Sequence, residues 1–138
     1  MGELRFKQEH ILPKSATEYF QQNVWLGVSF PGPADARAAK DTVGIEKFMW
    51  GSDFPHDEGT HPFTREHLRQ VFSEWSEADM RQILGENCAR LYDFDIAALQ
   101  PLADEFGPTP EELREPLREL PANANEALRR AGASAVAS

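Results

Sequence analysis

The chain has a single cysteine, Cys88, and few basic residues. One cysteine excludes an internal disulfide framework and any zinc site built from cysteines. The 14 lysine and arginine residues stand against 23 aspartate and glutamate residues, giving a net charge of −9 with histidine neutral. Nucleic-acid binding needs a clustered cationic face, so we predict no nucleic-acid partner.

Long apolar runs are also missing. No run approaches the ~20 apolar residues that span a bilayer. The first 20 residues carry Glu3, Arg5, Lys7 and Glu9 where a signal peptide has an apolar region. We therefore expect no membrane partner and a cytoplasmic location. What is present, an apolar fraction of 41% with 10% aromatic residues, suffices for a packed core in one domain.

A strand, a helix and a second strand follow one another between residues 24 and 51. Residues 24–30 are β-branched and aromatic on both faces, which predicts a strand buried on both sides. A helix is predicted from Ala34 to Val43, with Pro33 at its start and Gly44 at its end. A short apolar run, 47–51, predicts the second strand. This spacing is typical of a βαβ unit with parallel strands.

Helical patterns flank and follow this unit. Ser15 and Glu18 predict a capped helix over 16–22. Another helix opens at Thr64, with Leu68, Val71, Phe72 and Trp75 on one apolar stripe, and Thr109 marks a helix start in the tail. His67 falls on the polar side of the helix that opens at Thr64, so we predict a solvated histidine. The chain then divides into a flexible lead-in (1–14), a βαβα part (15–95), a helical tail (96–131) and a disordered end (132–138).

Asp53 follows the second predicted strand directly, at the edge of the sheet where α/β proteins bind ligands. A carboxylate there is poorly solvated unless a cation meets it. A divalent metal is one such cation, because one oxygen of a carboxylate can bind it while the other holds or deprotonates a water. The alternative, given equal weight, is that Asp53 accepts backbone N–H bonds from residue 55 or 56.

A longer motif contains this aspartate. It reads Phe48-Met-Trp-Gly-Ser-Asp-Phe-Pro-His56, then Glu58-Gly-Thr60, then Ile83-Leu-Gly-Glu-Asn-Cys-Ala-Arg-Leu-Tyr92 with Phe94-Asp95. It resembles the C-terminal third of the amidohydrolase-related metal-dependent hydrolases, a family that includes decarboxylases of the aminocarboxymuconate semialdehyde type. The resemblance covers residues 17–107. It implies an α/β fold, the C-terminal portion of a (β/α)8 TIM barrel with about two parallel strands, covering helices and a helical tail.

The resemblance also implies roles for three residues. Asp53 takes the place of the family's eighth-strand aspartate, which is a metal ligand or a base that activates water. His56 and Trp50 lie on the rim of the site or just behind its ligands, with Trp50 expected to pack in the barrel wall. A loop histidine bonded to Asp57 or Glu58 is the alternative for His56. The cofactor implied is a divalent metal, with zinc favoured over manganese.

The chain departs from the family in its histidines. Members carry a His-x-His pair after the first strand and further histidine ligands on middle strands, whereas His10 and His61 stand elsewhere here. A catalytic zinc takes three protein ligands plus water, so we expect that this chain does not hold the metal alone. The 138 residues also fall short of the ~250 of a complete barrel.

The leading interpretation is therefore an incomplete C-terminal part of a metal-dependent hydrolase. Its reaction would be hydrolysis of a C–N or C–O bond, or the carboxy-lyase reaction of a small carboxylate, so the substrate of the complete enzyme is a small molecule. The alternatives are a non-catalytic remnant or interaction module, and one half of a split barrel completed by another chain. Because two parallel strands have open edges, we expect self-association or a partner chain.

Overall fold

The computed structural model describes residues 12–29 and 31–136, with side chains up to residue 132. Most of the predicted lead-in, including His10, lies outside the described residues, as do Phe30 and residues 137–138. The elements are α1 (Ala16–Asn23), β1 (Leu26–Ser29), α2 (Pro33–Val43), a 3₁₀ turn (Ile45–Lys47), β2 (Phe48–Gly51), α3 (Thr64–Phe72), α4 (Glu77–Arg81), a π-helical turn (Gln82–Glu86), α5 (Asn87–Tyr92), α6 (Ile96–Phe106), α7 (Pro110–Arg114) and α8 (Glu126–Val136).

The two strands form a parallel sheet, as the βαβ spacing predicts. Leu26 pairs with Phe48, and Ser29 pairs with Gly51 at the other end. Phe48 is fully buried among the helices, and Val28 and Trp50 pack against the same core. The described residues thus show a partial α/β arrangement in which helices cover one face of the sheet, and the complete barrel stays a prediction.

The prediction that β1 is buried on both faces is wrong. Gly27 and Ser29 are exposed, whereas Leu26 and Val28 are half-buried. Side chains of a strand alternate between its two faces. In the part of the chain that the structure describes, the face carrying Gly27 and Ser29 is left uncovered, so only the helix-facing positions lose solvent.

The core lies between the sheet and the helices that follow β2. Its members come from α2, β2, α3, the turn between α3 and α4, the segment from α4 through the π-helical turn, α7 and α8. The largest are Phe48, Leu68, Phe72, Trp75, Met80, Ile83 and Leu113. The predicted stripe of α3 is confirmed, since Leu68, Val71 and Phe72 are all buried. The prediction that His67 is solvated is wrong, because this residue is fully buried. Helix α3 packs against α2, α7 and α8, so its polar side is covered too.

The Asn87 side chain, in α5, links this helix to β2 by hydrogen bonds. Its Nδ2 donates to the carbonyl oxygens of Ile45, at 2.7 Å, and of Phe48, at 2.8 Å. Ile45 opens the 3₁₀ turn that precedes β2, and Phe48 is the first residue of the strand. Buried carbonyls of this kind need a donor, and Asn87 supplies it to both. The anchor therefore sets the position of β2, and with it the position of the loop that follows.

The tail continues as three helices. Thr109 caps α7 with the reciprocal bonds of a capping box, its hydroxyl accepting from the Glu112 N–H at 3.2 Å. Helix α8 continues past Ala131 to Val136. Among the described residues, no helix is long and apolar enough to cross a membrane.

Candidate functional site

Asp53 lies at the carboxyl end of β2, two residues beyond the last strand residue, Gly51. Its backbone is left-handed, with φ of 60°. Aspartate is one of the few residues other than glycine that tolerates this conformation. The turn directs the chain out of the sheet at the edge where parallel strands of α/β proteins present ligand-binding groups.

The loop from Ser52 to Pro62 is closed by its own backbone. The N–H of Thr60 donates to the Ser52 carbonyl at 2.9 Å, and the N–H of His56 donates to the Asp53 carbonyl at the same distance. The Thr60 hydroxyl, fully buried, lies 3.3 Å from the Ser52 carbonyl and 3.0 Å from the Thr64 hydroxyl. The two ends of the loop are therefore held together at the first turn of α3.

His56 contacts Asp53 directly. Its Nδ1 lies 3.3 Å from Oδ1 of Asp53, so the carboxylate meets an imidazole. The side chain of Asp53 is 26% exposed and that of His56 is 65% exposed. Asp53 therefore forms the inner part of the pair, and His56 its solvent side.

Glu58 joins this pair. Asp53, His56 and Glu58 each offer one ligand atom, and these atoms all lie within 4.8 Å of one another. One imidazole and two carboxylates are donors that zinc accepts in proteins. The donor set of this loop therefore fits a divalent cation, and it adds two donors from this chain to the aspartate that the motif indicates.

Trp50 lies in β2 and does not belong to this cluster. Its ring packs against the helix-side core, and its centroid is 6.4 Å from that of His67. The indole Nε1 is buried, and no acceptor lies within hydrogen-bond distance of it in the described residues. Trp50 thus anchors β2 to the helix-side core.

Two residues of the site region carry weak sequence signals. Glu58 stands within the motif, two positions after His56, but only the fold of the loop turns it toward Asp53. Asn125 lies far along the chain, and its Nδ2 donates to the carbonyls of Gly59, at 2.8 Å, and of His61, at 3.1 Å. An asparagine before a helix predicts a cap, but nothing local predicts its contact with this loop.

Comparison with protein families gives a match to the amidohydrolase domain over residues 17–94, more than half of the chain. Comparisons with curated proteins and with solved structures give no match. The matched range begins in α1, includes both strands and the Asp53 loop, and ends before α6. With that range matched and its motif aspartate at the end of β2, the chain belongs to the amidohydrolase family.

Proposed function

We propose that this chain carries the aspartate and a cation-binding loop of a metal-dependent hydrolase. One observation carries the proposal: Asp53 ends β2 inside the family match, with donor atoms of His56 and Glu58 within 4.8 Å. The reaction is hydrolysis of a C–N or C–O bond, or non-oxidative decarboxylation of a small carboxylate, as in decarboxylases of the aminocarboxymuconate semialdehyde type. Zinc suits one imidazole and two carboxylates, and manganese is the alternative.

Each residue of the cluster has a chemical role in this proposal. A divalent metal supplies Lewis-acid polarisation and lowers the pKa of water when bound. Asp53 would hold the cation through a carboxylate oxygen, and its other oxygen would accept a proton. His56 contacts Oδ1 of Asp53, so it would orient that carboxylate and offer an imidazole nitrogen to the cation, and Glu58 would offer a second carboxylate.

Titration of the purified chain with Zn²⁺ and with Mn²⁺ by calorimetry tests the cation site. The missing histidines predict that this chain does not hold the metal alone, but with His56 and Glu58 beside Asp53 we expect stoichiometric binding. We expect binding to be lost in Asp53→Asn, because the amide removes the charged donor. Asp57→Asn is the matched control, since Asp57 is an exposed carboxylate of the same loop that does not belong to the cluster. Binding that survives Asp53→Asn, or that is lost equally in Asp57→Asn, contradicts the proposal.

The reaction itself is tested by assaying the metal-loaded chain against amide and ester substrates and small aromatic carboxylates. Turnover that disappears in Asp53→Asn while the fold is retained, measured by circular dichroism, supports the catalytic role. Tight metal binding without any turnover would leave the chain as a metal-binding module and would overturn the enzymatic part of the proposal.

One observation favours a second candidate, a half-barrel completed by another chain. Gly27 and Ser29 are exposed on the face of the sheet that the described helices do not cover. A parallel sheet is normally covered on both faces. In this candidate, turnover appears only when the chain is co-expressed with the partner that covers that face, and turnover by the chain alone excludes it.

A further inference from the structure

One residue of the C-terminal tail contacts the Asp53 loop, although it lies outside the range that the family matches. The match ends at residue 94, and Asn125 lies beyond it. Nevertheless the Asn125 side chain donates to the Gly59 and His61 carbonyls, at 2.8 and 3.1 Å, across 66 and 64 residues of sequence. Both hydrogens of its amide are therefore used on a loop from the other half of the chain.

The position of Asn125 is itself fixed by its place at the start of α8. Its Oδ1 accepts the N–H of Leu128 at 3.1 Å, which makes it the N-cap of α8. Ala127, Leu128 and Ala131 on that helix are 0–2% exposed, and α8 packs on α2 and α3. The amide is thus fixed to the core of the molecule at one end and to the loop at the other.

Gly59 connects the Asn125 amide to the Asp53 loop. An added Cβ at Gly59 would lie 2.8 Å from the Ser52 carbonyl oxygen, 2.9 Å from that of Asp53 and 3.0 Å from that of His56. The residue whose carbonyl Asn125 holds is therefore packed directly on the backbone of two of the three cluster residues. Gly59 also donates its N–H to the His56 carbonyl at 3.0 Å, so a shift of Gly59 disturbs this bond to the backbone of the cluster.

We propose that Asn125 is a positioning residue, through which the C-terminal tail holds the Asp53–His56–Glu58 loop in its cation-binding conformation. The inference rests on the proposed function for its effect on metal binding. It goes beyond that function by assigning the tail a direct part in the site. Residues that orient metal ligands typically change affinity or activity by about 10–100-fold when they are mutated.

Asn125→Asp separates the two tasks of this side chain. The carboxylate still accepts the Leu128 N–H, so the α8 cap is retained, but it has no hydrogens to donate to Gly59 and His61. The new negative charge by itself would attract a cation. Weaker binding in this variant therefore reports lost positioning and not altered electrostatics. Asn123→Asp is the matched control, because it adds the same charge at an exposed position of the preceding turn.

The experiment measures Zn²⁺ affinity by calorimetry and, on the metal-free chain, the His56 ring shifts and the Thr60 amide exchange rate by NMR. We expect Asn125→Asp to lower the affinity about 10–100-fold, to shift the His56 signals and to speed Thr60 exchange, while α8 amides stay protected. Asn123→Asp should leave all of these unchanged. Asn125→Asp with unchanged His56 shifts and Thr60 exchange overturns the inference.

The two proposals fail in different ways. If the unmodified chain binds no Zn²⁺ or Mn²⁺, the proposed function fails, while the NMR comparison on the metal-free chain still decides the role of Asn125. If the unmodified chain binds metal and Asn125→Asp binds it equally well, the proposed function holds and the positioning role is wrong.

Discussion

Helices α6 and α8 are both eleven residues long and both belong to the tail, yet they differ in burial. No residue of α6 is buried. On α8, Ala127, Leu128 and Ala131 are 0–2% exposed. The larger apolar side chains are on the exposed helix, where Leu99, Leu102 and Phe106 are 45–68% exposed. An apolar pattern alone therefore does not decide which helix docks.

The difference lies in what fixes each helix to the body. Small alanines let α8 approach α3 closely, and Asn125 ties its first turn to the loop after β2. Helix α6 is held at its end, where Arg65 donates to the Phe106 carbonyl at 2.9 Å. A groove of about 560 Å³ is lined by Leu99 and Ala103 of α6 together with Met80 and Leu84. Helix α6 thus stands off from the core, and docking requires close approach as well as apolar surface.

The largest expected effect comes from truncating one leucine on each helix. Leu128→Ala removes a fully buried side chain and should cost about 2–5 kcal/mol of unfolding free energy. Leu102→Ala, at a side chain that is 54% exposed, should stay within about 0.5 kcal/mol. Urea denaturation followed by tryptophan fluorescence measures both. Similar losses in the two variants would mean that α6 is docked in solution, contrary to the difference in burial between α6 and α8.

A smaller effect is expected where the α8 cap meets the site loop. Gly59→Ala places a Cβ 2.8 Å from a backbone oxygen, and such overpacking costs about 1–3 kcal/mol. The same variant should weaken Zn²⁺ binding, because the backbone of Asp53 has to move. Gly85→Ala is the control, since its added Cβ meets no atom within 4 Å beyond the backbone of its own helix, and helix propensity favours alanine by about 1 kcal/mol. A Gly59→Ala chain as stable as Gly85→Ala would show that the loop is looser than its contacts indicate.

The smallest effect concerns the link between α2, on which α8 packs, and α4. The Lys40 ammonium donates to Asp79 at 2.7 Å, and this hydrogen bond lowers the pKa of that carboxyl below its usual range. A lowered pKa in the folded state means that the stabilisation is complete above the unfolded value and is lost as pH falls through the folded value. Asp79→Asn should therefore cost about 0.2–1 kcal/mol near neutral pH.

This cost should shrink as the solution is acidified, measured as the gap between denaturation midpoints of the two proteins at each pH. Asp41→Asn, at an exposed carboxylate on α2, is the control and should show no such gap. A gap for Asp79→Asn that stays constant down to strongly acid pH would mean that the charge of Asp79 does not stabilise the fold.

Much of the fold was predictable because its signals are local. The Ser15–Glu18 capping box, the Thr109 start of α7 and the stripe of α3 each depend on residues three or four apart. The parallel pairing follows from strand and helix lengths. The burial of His67 and the exposure of Gly27 were not predictable. They depend on which elements cover α3 and β1, and no window of sequence contains that information.

The sequence by itself determined the motif, the aspartate that ends β2, and through them the family. Only the tertiary structure decided the surroundings of that aspartate, because a donor such as Asn125 reaches the loop across 66 residues. A capping or pairing pattern is set by neighbours along the chain. The grouping of Asp53 with His56 and Glu58 depends on how the loop folds, and the contact of Gly59 with Asn125 exists only once the chain has packed. For that reason the residue types of the site can be read from the chain, and its geometry cannot.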